Sequence, residues 1–360
     1  MKIPARMAID HDFWSGRRVL LTGHTGFKGA WLSLWLQSLG ARVTGLAPAG
    51  APTSPSLYEL ASVSAGMERE LAVDVRDREG VRRALAAERP EVVLHLAAQP
   101  LVRRSLIDPV STYEVNVMGT VNVLDAVRLE GGQVRSLVIV TSDKCYENLG
   151  RKRPFAEDDP LGGSDPYSSS KGCAELVTTA YRRSFFSAPD APRVASARAG
   201  NVIGGGDWGA DRLIPDIVRA VASGEPIAVR NPEAVRPWQH VLNPLAGYLL
   251  LAQQLWRSPE AAQGWNFGPP AGDARTVGAI VELLRQHWAP QAFTWELDGV
   301  AGATEAAYLA LDSSAAEEQL GWRPGWDLKQ ALERIVQWHQ AHLRGENMRR
   351  VTFDQIAEFP

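Results

Sequence analysis

Cysteine, histidine and long apolar runs are all scarce in this chain of 360 residues. It contains two cysteines, Cys145 and Cys173, whose spacing fits no metal-binding pattern, and seven histidines that are scattered rather than clustered. We therefore predict no metal site, and we expect both thiols to be reduced, as in cytoplasmic proteins. The longest apolar stretch, residues 30–39, is interrupted by polar side chains and is far too short to cross a bilayer.

Strong charge of either sign is also missing. The formal net charge is −3 and charged residues make up 22% of the chain, so no basic field points to nucleic acid or to an anionic membrane surface. The first residues lack the apolar core of a signal peptide. These absences favour a cytoplasmic protein whose partners are small molecules, with neither nucleic acid nor membrane among them.

What is present is a regular alternation of strand and helix patterns. Short apolar runs predict strands at 19–21, 42–44, 71–73, 92–96, 137–140 and 194–197, with helical patterns between them, one of them over 110–128. Such runs are typical of a parallel sheet covered on both faces, so we predict an α/β fold with a Rossmann-like doubly wound parallel sheet over residues 1–200. Residues 201–360 are predicted to form mainly a smaller C-terminal substrate-binding lobe, with some segments returning to the large domain.

A glycine-rich turn follows the first predicted strand and opens a helix, with the spacing G-x-x-G-x-x-G. Glycines there let the backbone approach a pyrophosphate, which the helix N-terminus attracts. We predict dinucleotide contacts at Gly23, Thr25, Gly26, Phe27, Lys28 and Gly29; the alternative is a plain tight turn. Residues 46–50 hold neither the acid usual for NAD nor an arginine for the extra phosphate of NADP, so this rule leaves the cofactor open.

Two further strand ends are predicted to reach the same edge of the sheet. Asp74 and Val75 follow the third strand, and Ala97, Ala98 and Gln99 follow the fourth. A carboxylate at this edge can accept a hydrogen bond from an adenine amino group, and small residues let a ribose lie close to the sheet. We predict cofactor contacts at all five, with a solvated loop carboxylate as the alternative for Asp74.

Tyr167 and Lys171 are four residues apart at the start of a predicted helix, so they share one face. A lysine charge favours the phenolate form of a tyrosine, which can then exchange a proton with a substrate hydroxyl during hydride transfer. We predict that both are catalytic and also contact the cofactor. The alternative is an exposed helix start, capped by Asp165 or Ser164 with Pro166 near the first position.

Three polar residues follow the fifth predicted strand, at the edge where α/β sheets bind ligands. Ser142 is placed to hydrogen-bond the reacting hydroxyl, and we predict that it is catalytic and binds substrate. Asp143 and Lys144 form an acid and amine pair that suits an elimination, in which one group protonates a leaving hydroxyl and the other removes a carbon-bound proton. A surface ion pair is the alternative reading of that pair.

Several longer runs resemble the extended short-chain dehydrogenase/reductases over nearly the whole chain. Besides the residues above, the resemblance rests on runs at 116–120, 198–201 and 320–324. Runs at 141–146, 204–208 and 236–242 are similar to the nucleotide-sugar 4,6-dehydratases that act on CDP-glucose. The resemblance implies tightly bound NAD that is used without being consumed, CDP-glucose as the substrate, a homodimer or higher homo-oligomer, and a role in making deoxysugars for surface polysaccharide such as lipopolysaccharide O-antigen.

Residues of the C-terminal half complete the predicted site. An arginine fork suits a pyrophosphate, and we predict substrate contacts at Gln99, Ser142, Asn201, Arg212, Arg236, Trp238 and Asn266. Packing or lobe-surface roles are the alternatives for these residues. Two other functions also stay open: a nucleotide-sugar 4-epimerase, which needs no acid and amine pair, and a non-catalytic dinucleotide-binding regulator.

Overall fold

A computed structural model describes residues 8–288, 293–298 and 308–360. Its strands are β1 Arg18–Thr22, β2 Arg42–Ala47, β3 Arg69–Ala72, β4 Val92–His95, β5 Ser136–Val140, β6 Arg193–Arg198, β7 Val202–Ile203, β8 Ile227–Val229, β9 Val235–Pro237, β10 Gln239–His240, β11 Gly264–Asn266, β12 Ala274–Thr276 and β13 Trp295–Leu297. Its α-helices are α1 His11–Trp14, α2 Phe27–Ser38, α3 Leu57–Leu60, α4 Arg78–Glu88, α5 Val102–Ile107, α6 Pro109–Tyr113, α7 Gly119–Glu130, α8 Pro166–Phe185, α9 Leu213–Ser223, α10 Leu242–Arg257, α11 Val277–His287, α12 Ser314–Gln319, α13 Leu328–Leu343 and α14 Met348–Glu358.

The described residues form a seven-stranded sheet in the order β11-β6-β5-β4-β1-β2-β3, and all of its pairings are parallel. The chain builds β1, β2 and β3 toward one edge and then crosses to β4, which lies on the other side of β1. In open α/β sheets, ligands bind outside the carboxyl ends of the strands at such a reversal of direction. The predicted doubly wound sheet is confirmed.

Both faces of this sheet are covered, because its strands bury side chains on both sides. In β5, Val138 and Val140 pack into the core under α2 and α10, whereas Leu137 and Ile139 pack into the core under α4 and α7. This alternation follows from the two-residue period of a strand, and it explains why the run reads as continuously apolar. Each fully buried aliphatic side chain stabilises the fold by about 1.5–3 kcal/mol relative to exposure.

The helix predicted over 110–128 is interrupted in the structure. The π-helical turn Glu114–Met118 separates α6 from α7. Such turns insert one residue into a helix and are frequent at functional sites. Its residue Asn116 faces the loop after β4, where the predicted cofactor contacts lie.

The C-terminal half contributes to both parts of the molecule. Short strand pairs β7 with β10, β9 with β12 and β8 with β13 surround an apolar core shared by α9, α11 and α13. In contrast, β11 pairs with β6 in the large sheet, and Tyr248 and Leu249 of α10 pack into the core of that sheet. The domain boundary at residue 200 stays a prediction.

No helix in the described ranges combines the length and the apolar character that crossing a membrane requires. The two cysteines form no disulfide with each other, and Cys145 is buried. Among the same residues, no group of three or more His, Cys, Asp or Glu side chains is arranged to hold a metal ion.

Candidate active site

The glycine loop between β1 and α2 is packed against the end of β4. Gly23 has a φ of +75°, and a Cβ at this position would lie 2.8 Å from the backbone of Ala97. A Cβ at Gly29 would overlap the carbonyl group of Gly23. Gly26 caps α2 without any side-chain hydrogen bond to the first N–H groups of the helix. Only glycines permit this close approach, and it leaves the helix N-terminus open to an anion.

A cavity of about 840 Å³ extends from this loop across the carboxyl ends of β1, β4 and β5 toward the C-terminal lobe. Its lining brings together these residues that the sequence predicts for cofactor, catalysis and substrate: Gly23, Thr25, Gly26, Phe27, Lys28, Gly29, Asp74, Val75, Ala97, Ala98, Gln99, Ser142, Asp143, Lys144, Tyr167, Lys171, Asn201, Arg212, Arg236 and Trp238. The predicted residues therefore face one shared space.

Asn266 does not belong to this lining, and we no longer expect it to contact the substrate. It lies on β11 and is completely buried. Its side-chain amide donates to the carbonyl groups of Phe155 and Asp312, at 2.9 and 3.0 Å, and its Oδ1 accepts from the hydroxyl group of Tyr146 at 2.7 Å. These bonds anchor the loop that follows β5, so the role of Asn266 is structural.

Asp74 lines the cavity, but its carboxylate is already paired. The Arg76 guanidinium lies 2.8 Å from Asp74 Oδ2, and the Arg76 backbone N–H donates to Oδ1 at 2.9 Å. Hydrogen bonding to Arg76 holds the pKa of Asp74 below its usual value. The carboxylate keeps further lone pairs for an adenine amino group, and that contact stays a prediction.

The loop after β4 is held by Asn116, whose role we did not predict. Asn116 Oδ1 accepts from the Gln99 backbone N–H at 2.8 Å, and its Nδ2 donates to the Gln99 carbonyl at 3.1 Å and to Ser170 Oγ at 2.9 Å. The side chain of Gln99 is itself bonded to Leu101 and Thr112. Gln99 therefore shapes the cavity wall with a fixed side chain. Its place in the run at 116–120 was the only signal in the sequence for Asn116.

Tyr167 and Lys171 enter the cavity from the first turns of α8. As predicted, Asp165 caps this helix, accepting from the Ser168 N–H at 2.9 Å, and Pro166 occupies the first turn. The capping and catalytic readings are therefore compatible. The Tyr167 N–H also donates to Ser105 Oγ at 3.1 Å, which ties the start of α8 to α5.

The sequence predicts that the charge of Lys171 favours the phenolate form of Tyr167, but in the structure burial has the largest effect on the pKa of both groups. Burial raises the pKa of Tyr167 to about 12, while hydrogen bonding to Ser142 and the charge of Arg212 act in the opposite direction. Burial also lowers the pKa of Lys171 to about 8, although the nearby Glu175 favours its charged form. Tyr167 is therefore a neutral phenol near pH 7 in this structure. Ser142 and Arg212 are the groups that favour its ionisation.

Ser142, Asp143 and Lys144 form a tight turn directly after β5. Asp143 begins a short 3-10 helix, and the Ser142 hydroxyl accepts from the Lys144 N–H at 3.2 Å while donating to Asp143 Oδ1 at 2.9 Å. Burial raises the pKa of Asp143; Lys144, Ser142 and Arg236 oppose this shift. Asp143 is buried rather than part of a solvated surface ion pair, and a raised pKa suits a proton donor.

A buried ion pair beneath the site was also missed by the sequence reading. Glu175, one turn beyond Lys171 on α8, is paired with Arg198 at 2.8 Å and also accepts from Thr141 and Ser196. These contacts tie α8 to the ends of β5 and β6, the two strands that lead into the turn of Ser142, Asp143 and Lys144 and into the loop at Asn201. Only the position of Arg198 in the run at 198–201 hinted at this arrangement.

Cationic side chains line the part of the cavity that faces the C-terminal lobe. Arg212 Nη1 lies 2.9 Å from Asp207 Oδ2, and Arg236 is buried with its Nη1 donating to the Val235 carbonyl at 2.9 Å. Trp238 is buried and donates through its indole N–H to the Arg275 carbonyl at 3.0 Å. The two arginines suit a pyrophosphate, whereas Trp238 contributes a fixed apolar wall.

Asn201 opens the loop after β6 on the same side of the cavity. Its φ of +38° places a non-glycine residue in the left-handed region, and its carbonyl accepts from the Gln239 N–H at 3.3 Å. Such backbone strain is common at ligand sites, where the surrounding structure over-determines the conformation. Substrate contact by Asn201 stays a prediction.

Comparison with models of known protein families identifies the family of this chain. Residues 19–263 match the model of the NAD dependent epimerase/dehydratase family. The chain belongs to this family. The match confirms the predicted resemblance, and it makes NAD the cofactor where the missing acid after β2 left the choice open.

Individual relatives narrow the comparison within the family. The CDP-glucose 4,6-dehydratase of Salmonella typhimurium is 50% identical over 356 residues, which covers 98% of each chain. The dTDP-glucose 4,6-dehydratase of Streptomyces griseus is 28% identical and covers 90% of this chain and 94% of its own. Among solved structures, a Streptomyces venezuelae dTDP-glucose 4,6-dehydratase with NAD bound superposes with a TM-score of 0.77 at 24% identity, covering 92% of this chain and 99% of its own. The last match shows the fold alone.

The residues of this family member fit NAD. The close contact between Gly23 and the end of β4 leaves a cradle that a Cβ would fill, at the point where a pyrophosphate approaches the start of α2. Tyr167 and Lys171 line the same cavity, together with Ser142, Asp143 and Lys144. Gly23, Gly26 and Phe27 would hold the phosphates there, and Tyr167 and Lys171 would lie at the reacting end.

Proposed function

We propose that the chain is a CDP-glucose 4,6-dehydratase, a hydro-lyase that converts CDP-D-glucose into CDP-4-dehydro-6-deoxy-D-glucose and water. The observation that carries the proposal is the placement of the acid Asp143 and the amine Lys144 in the same cavity as Ser142, Tyr167 and Lys171. An epimerase has no leaving hydroxyl and so has no use for the first two. The relative at 50% identity supports the same reaction.

The first step is oxidation of the sugar at C4. Tyr167 reacts as the phenolate, the minor form at neutral pH that Ser142 and Arg212 favour, and accepts the proton of the C4 hydroxyl, while Ser142 is hydrogen-bonded to the reacting oxygen. NAD, when bound, supplies the acceptor for the C4 hydride and later returns that hydride to C6. Lys171 is charged below its pKa of about 8, and we propose that this charge, together with Ser142 and Arg212, stabilises the phenolate form of Tyr167 before it accepts the proton.

The second step eliminates water across C5 and C6. The C4 ketone acidifies the C5 proton, which Lys144 removes in its amine form. Asp143 gives its proton to the C6 hydroxyl as the C6–O bond breaks, and water leaves. Lys144 then returns the proton to C5 and regains its amine form. Asp143 is left as a carboxylate while Tyr167 holds the C4-hydroxyl proton, so transfer of one proton from Tyr167 to Asp143 restores both side chains for the next turnover. Burial of Asp143, which raises its pKa, favours the protonated form that this step requires.

The substrate's diphosphate is proposed to lie between the arginines of the C-terminal lobe. Arg212 and Arg236 line that end of the cavity, and Trp238 forms its apolar wall. Recognition of cytosine is proposed from the relative at 50% identity together with the run at 236–242.

The test is incubation of the protein with CDP-, UDP-, GDP- and dTDP-glucose, with the product identified by mass and the ketosugar measured by its absorbance in alkali. We expect loss of one water from CDP-glucose and far slower turnover of the others. A tenfold or greater preference for another base, about 1.4 kcal/mol, contradicts the assignment of the nucleotide. An epimerised product of unchanged mass contradicts the dehydratase reaction itself.

We further propose a cytoplasmic homodimer that contributes deoxysugars to surface polysaccharide. Apolar side chains are exposed near the catalytic helix: Ile107 is 76%, Val110 68%, Leu176 59% and Met118 50% exposed. Contiguous exposed apolar surface is typical of association sites. Sedimentation analysis is expected to give a dimer, and Leu176→Glu is expected to give a monomer; a monomeric parent protein contradicts the proposal.

A further inference from the structure

Three buried polar atoms close to the catalytic turn have no hydrogen-bond partner among the described residues. They are Asp143 Oδ2, the hydroxyl oxygen of Tyr248 and Oε1 of Gln239. Their side chains are 2%, 0% and 1% exposed. Leaving a buried polar group unsatisfied costs about 1–3 kcal/mol, so three such atoms in one region point to a function.

Gly200 and Phe267 link the three side chains: Asp143 and Gln239 contact their backbone, and Tyr248 packs against the Phe267 ring. A Cβ on Gly200 would overlap the carboxyl group of Asp143, so this carboxyl lies directly against the Gly200 backbone. Gln239 Nε2 donates to the Phe267 carbonyl at 2.7 Å and approaches the Gly200 carbonyl at 3.5 Å. Tyr248 reaches the same region from α10, with its ring edge-on to the Phe267 ring at 5.8 Å.

In the proposed reaction, a hydrogen-bond donor to Oδ2 stabilises the Asp143 carboxylate beyond what the nearby charges of Lys144, Arg236 and Lys28 already contribute. When Asp143 gives up its proton it becomes a carboxylate inside the protein, and a buried charge needs donors. Oδ1 receives the Ser142 hydroxyl, but Oδ2 receives no bond from the described residues. The Gln239 oxygen only accepts, whereas the Tyr248 hydroxyl can donate. Burial together with the charge of Asp143 raises the pKa of Tyr248, so it keeps its proton.

We propose that Tyr248 is a positioning residue for the elimination step: its hydroxyl donates to Asp143 Oδ2 as the carboxylate forms, either directly or through one water held with Gln239 Oε1. Asp143 gives its proton to the departing hydroxyl, and Tyr248 keeps its own. The inference rests on the proposed dehydratase function. It assigns a role in that reaction to a residue of α10, which belongs neither to the turn of Ser142, Asp143 and Lys144 nor to α8.

The test compares Tyr248→Phe with the parent holoenzyme and with the control Tyr181→Phe. Tyr181 is a partly buried tyrosine of α8 that does not line the cavity. For Tyr248→Phe we expect unchanged or higher thermal stability, KM within about twofold, an unchanged rate of C4 oxidation in a single turnover, and product formation slowed by about 10- to 100-fold. The control is expected to match the parent in every measurement.

A pH profile separates this role from a structural one. Removing a donor to the carboxylate raises the pKa of Asp143, so the basic limb of the kcat profile is expected to move to higher pH in Tyr248→Phe. A double-mutant cycle with Asp143→Asn is expected to be non-additive, because the donor matters only when the carboxylate forms. An unshifted profile with parent-like turnover overturns the inference, and so do additive effects. If the parent itself eliminates water from no nucleotide-glucose, the proposed function has failed instead.

Discussion

Gly200→Ala is the perturbation that tests most directly whether Asp143 is the acid. The added methyl group would overlap Oδ2 and Cγ of Asp143 and lie 2.8 Å from Oδ1. Ordinary contacts are about 3.5–4.0 Å, so the carboxyl group has to move by more than about 1 Å. The movement breaks the 2.9 Å bond from the Ser142 hydroxyl to Oδ1.

The expected effect on stability is modest and the effect on catalysis is large. Overpacking of a core site typically costs about 1–3 kcal/mol, which leaves a protein of this size folded. A displacement of about 1 Å of a catalytic group costs about 100-fold in rate. We therefore expect kcat to fall by about 100-fold or more, with bound NAD retained and C4 oxidation preserved.

The assay combines single-turnover absorbance of the reduced nicotinamide, which reports C4 oxidation, with ketosugar formation, which reports elimination. Gly132→Ala is the matched control, because Gly132 is exposed and a Cβ there would meet nothing within 4 Å. Thermal denaturation and NAD content show whether each variant is folded. Product formation by folded Gly200→Ala within about threefold of the parent would falsify the reasoning, since the acid would then not depend on the position of this carboxyl group.

Three further predictions test other parts of the site and fold. Lys144→Met should still oxidise C4 but should neither exchange the C5 proton with heavy water nor release product; near-parental exchange would make Lys144 a bystander. Gly23→Ala, at a φ of +75°, should weaken NAD binding by at least about tenfold in a titration of stripped protein, and parental affinity would contradict the cradle. Burial lowers the pKa of His95, His240 and His339 to about 3 each, against 6.5 when unfolded. The free energy of unfolding should therefore keep the full contribution of these histidines above about pH 6.5. Below that pH it should fall by about 4 kcal/mol per pH unit for the three together, and equal urea midpoints at pH 7.5 and 5.5 would refute this.

Local patterns made much of the site predictable. Each of three patterns depends only on residues that are close together in the sequence: the glycine spacing, the interval between Tyr167 and Lys171, and the turn after β5. The structure places the residues of all three in one cavity. The Asp165 cap was equally visible, because capping depends on neighbours three residues apart. A parallel sheet brings the carboxyl ends of its strands to one edge, so knowing the strands was enough to predict that these segments meet.

The contacts of Asn266 and Asn116 could not be predicted from sequence motifs. Both lie in runs that resemble the family, yet Asn266 is turned away from the cavity toward Tyr146, while Asn116 holds the Gln99 peptide from a π-helical turn that the pattern did not predict. A motif shows that a residue matters and leaves open which neighbour it contacts. Side-chain direction depends on the local twist of strand and helix, which long-range packing sets.

By itself, the sequence determined the fold class, the glycine loop and the residues that we propose to be catalytic, because periodicity, glycine spacing and helical intervals are properties of short segments. Only the tertiary structure decided the ionisation state of those groups and their distant partners. Burial raises the pKa of Tyr167 and of Asp143, and burial is a property of the assembled core. The packing of Tyr248 against Phe267 depends on α10 lying against the large sheet, which joins segments far apart along the chain. Such contacts form only when the whole sheet has closed around them.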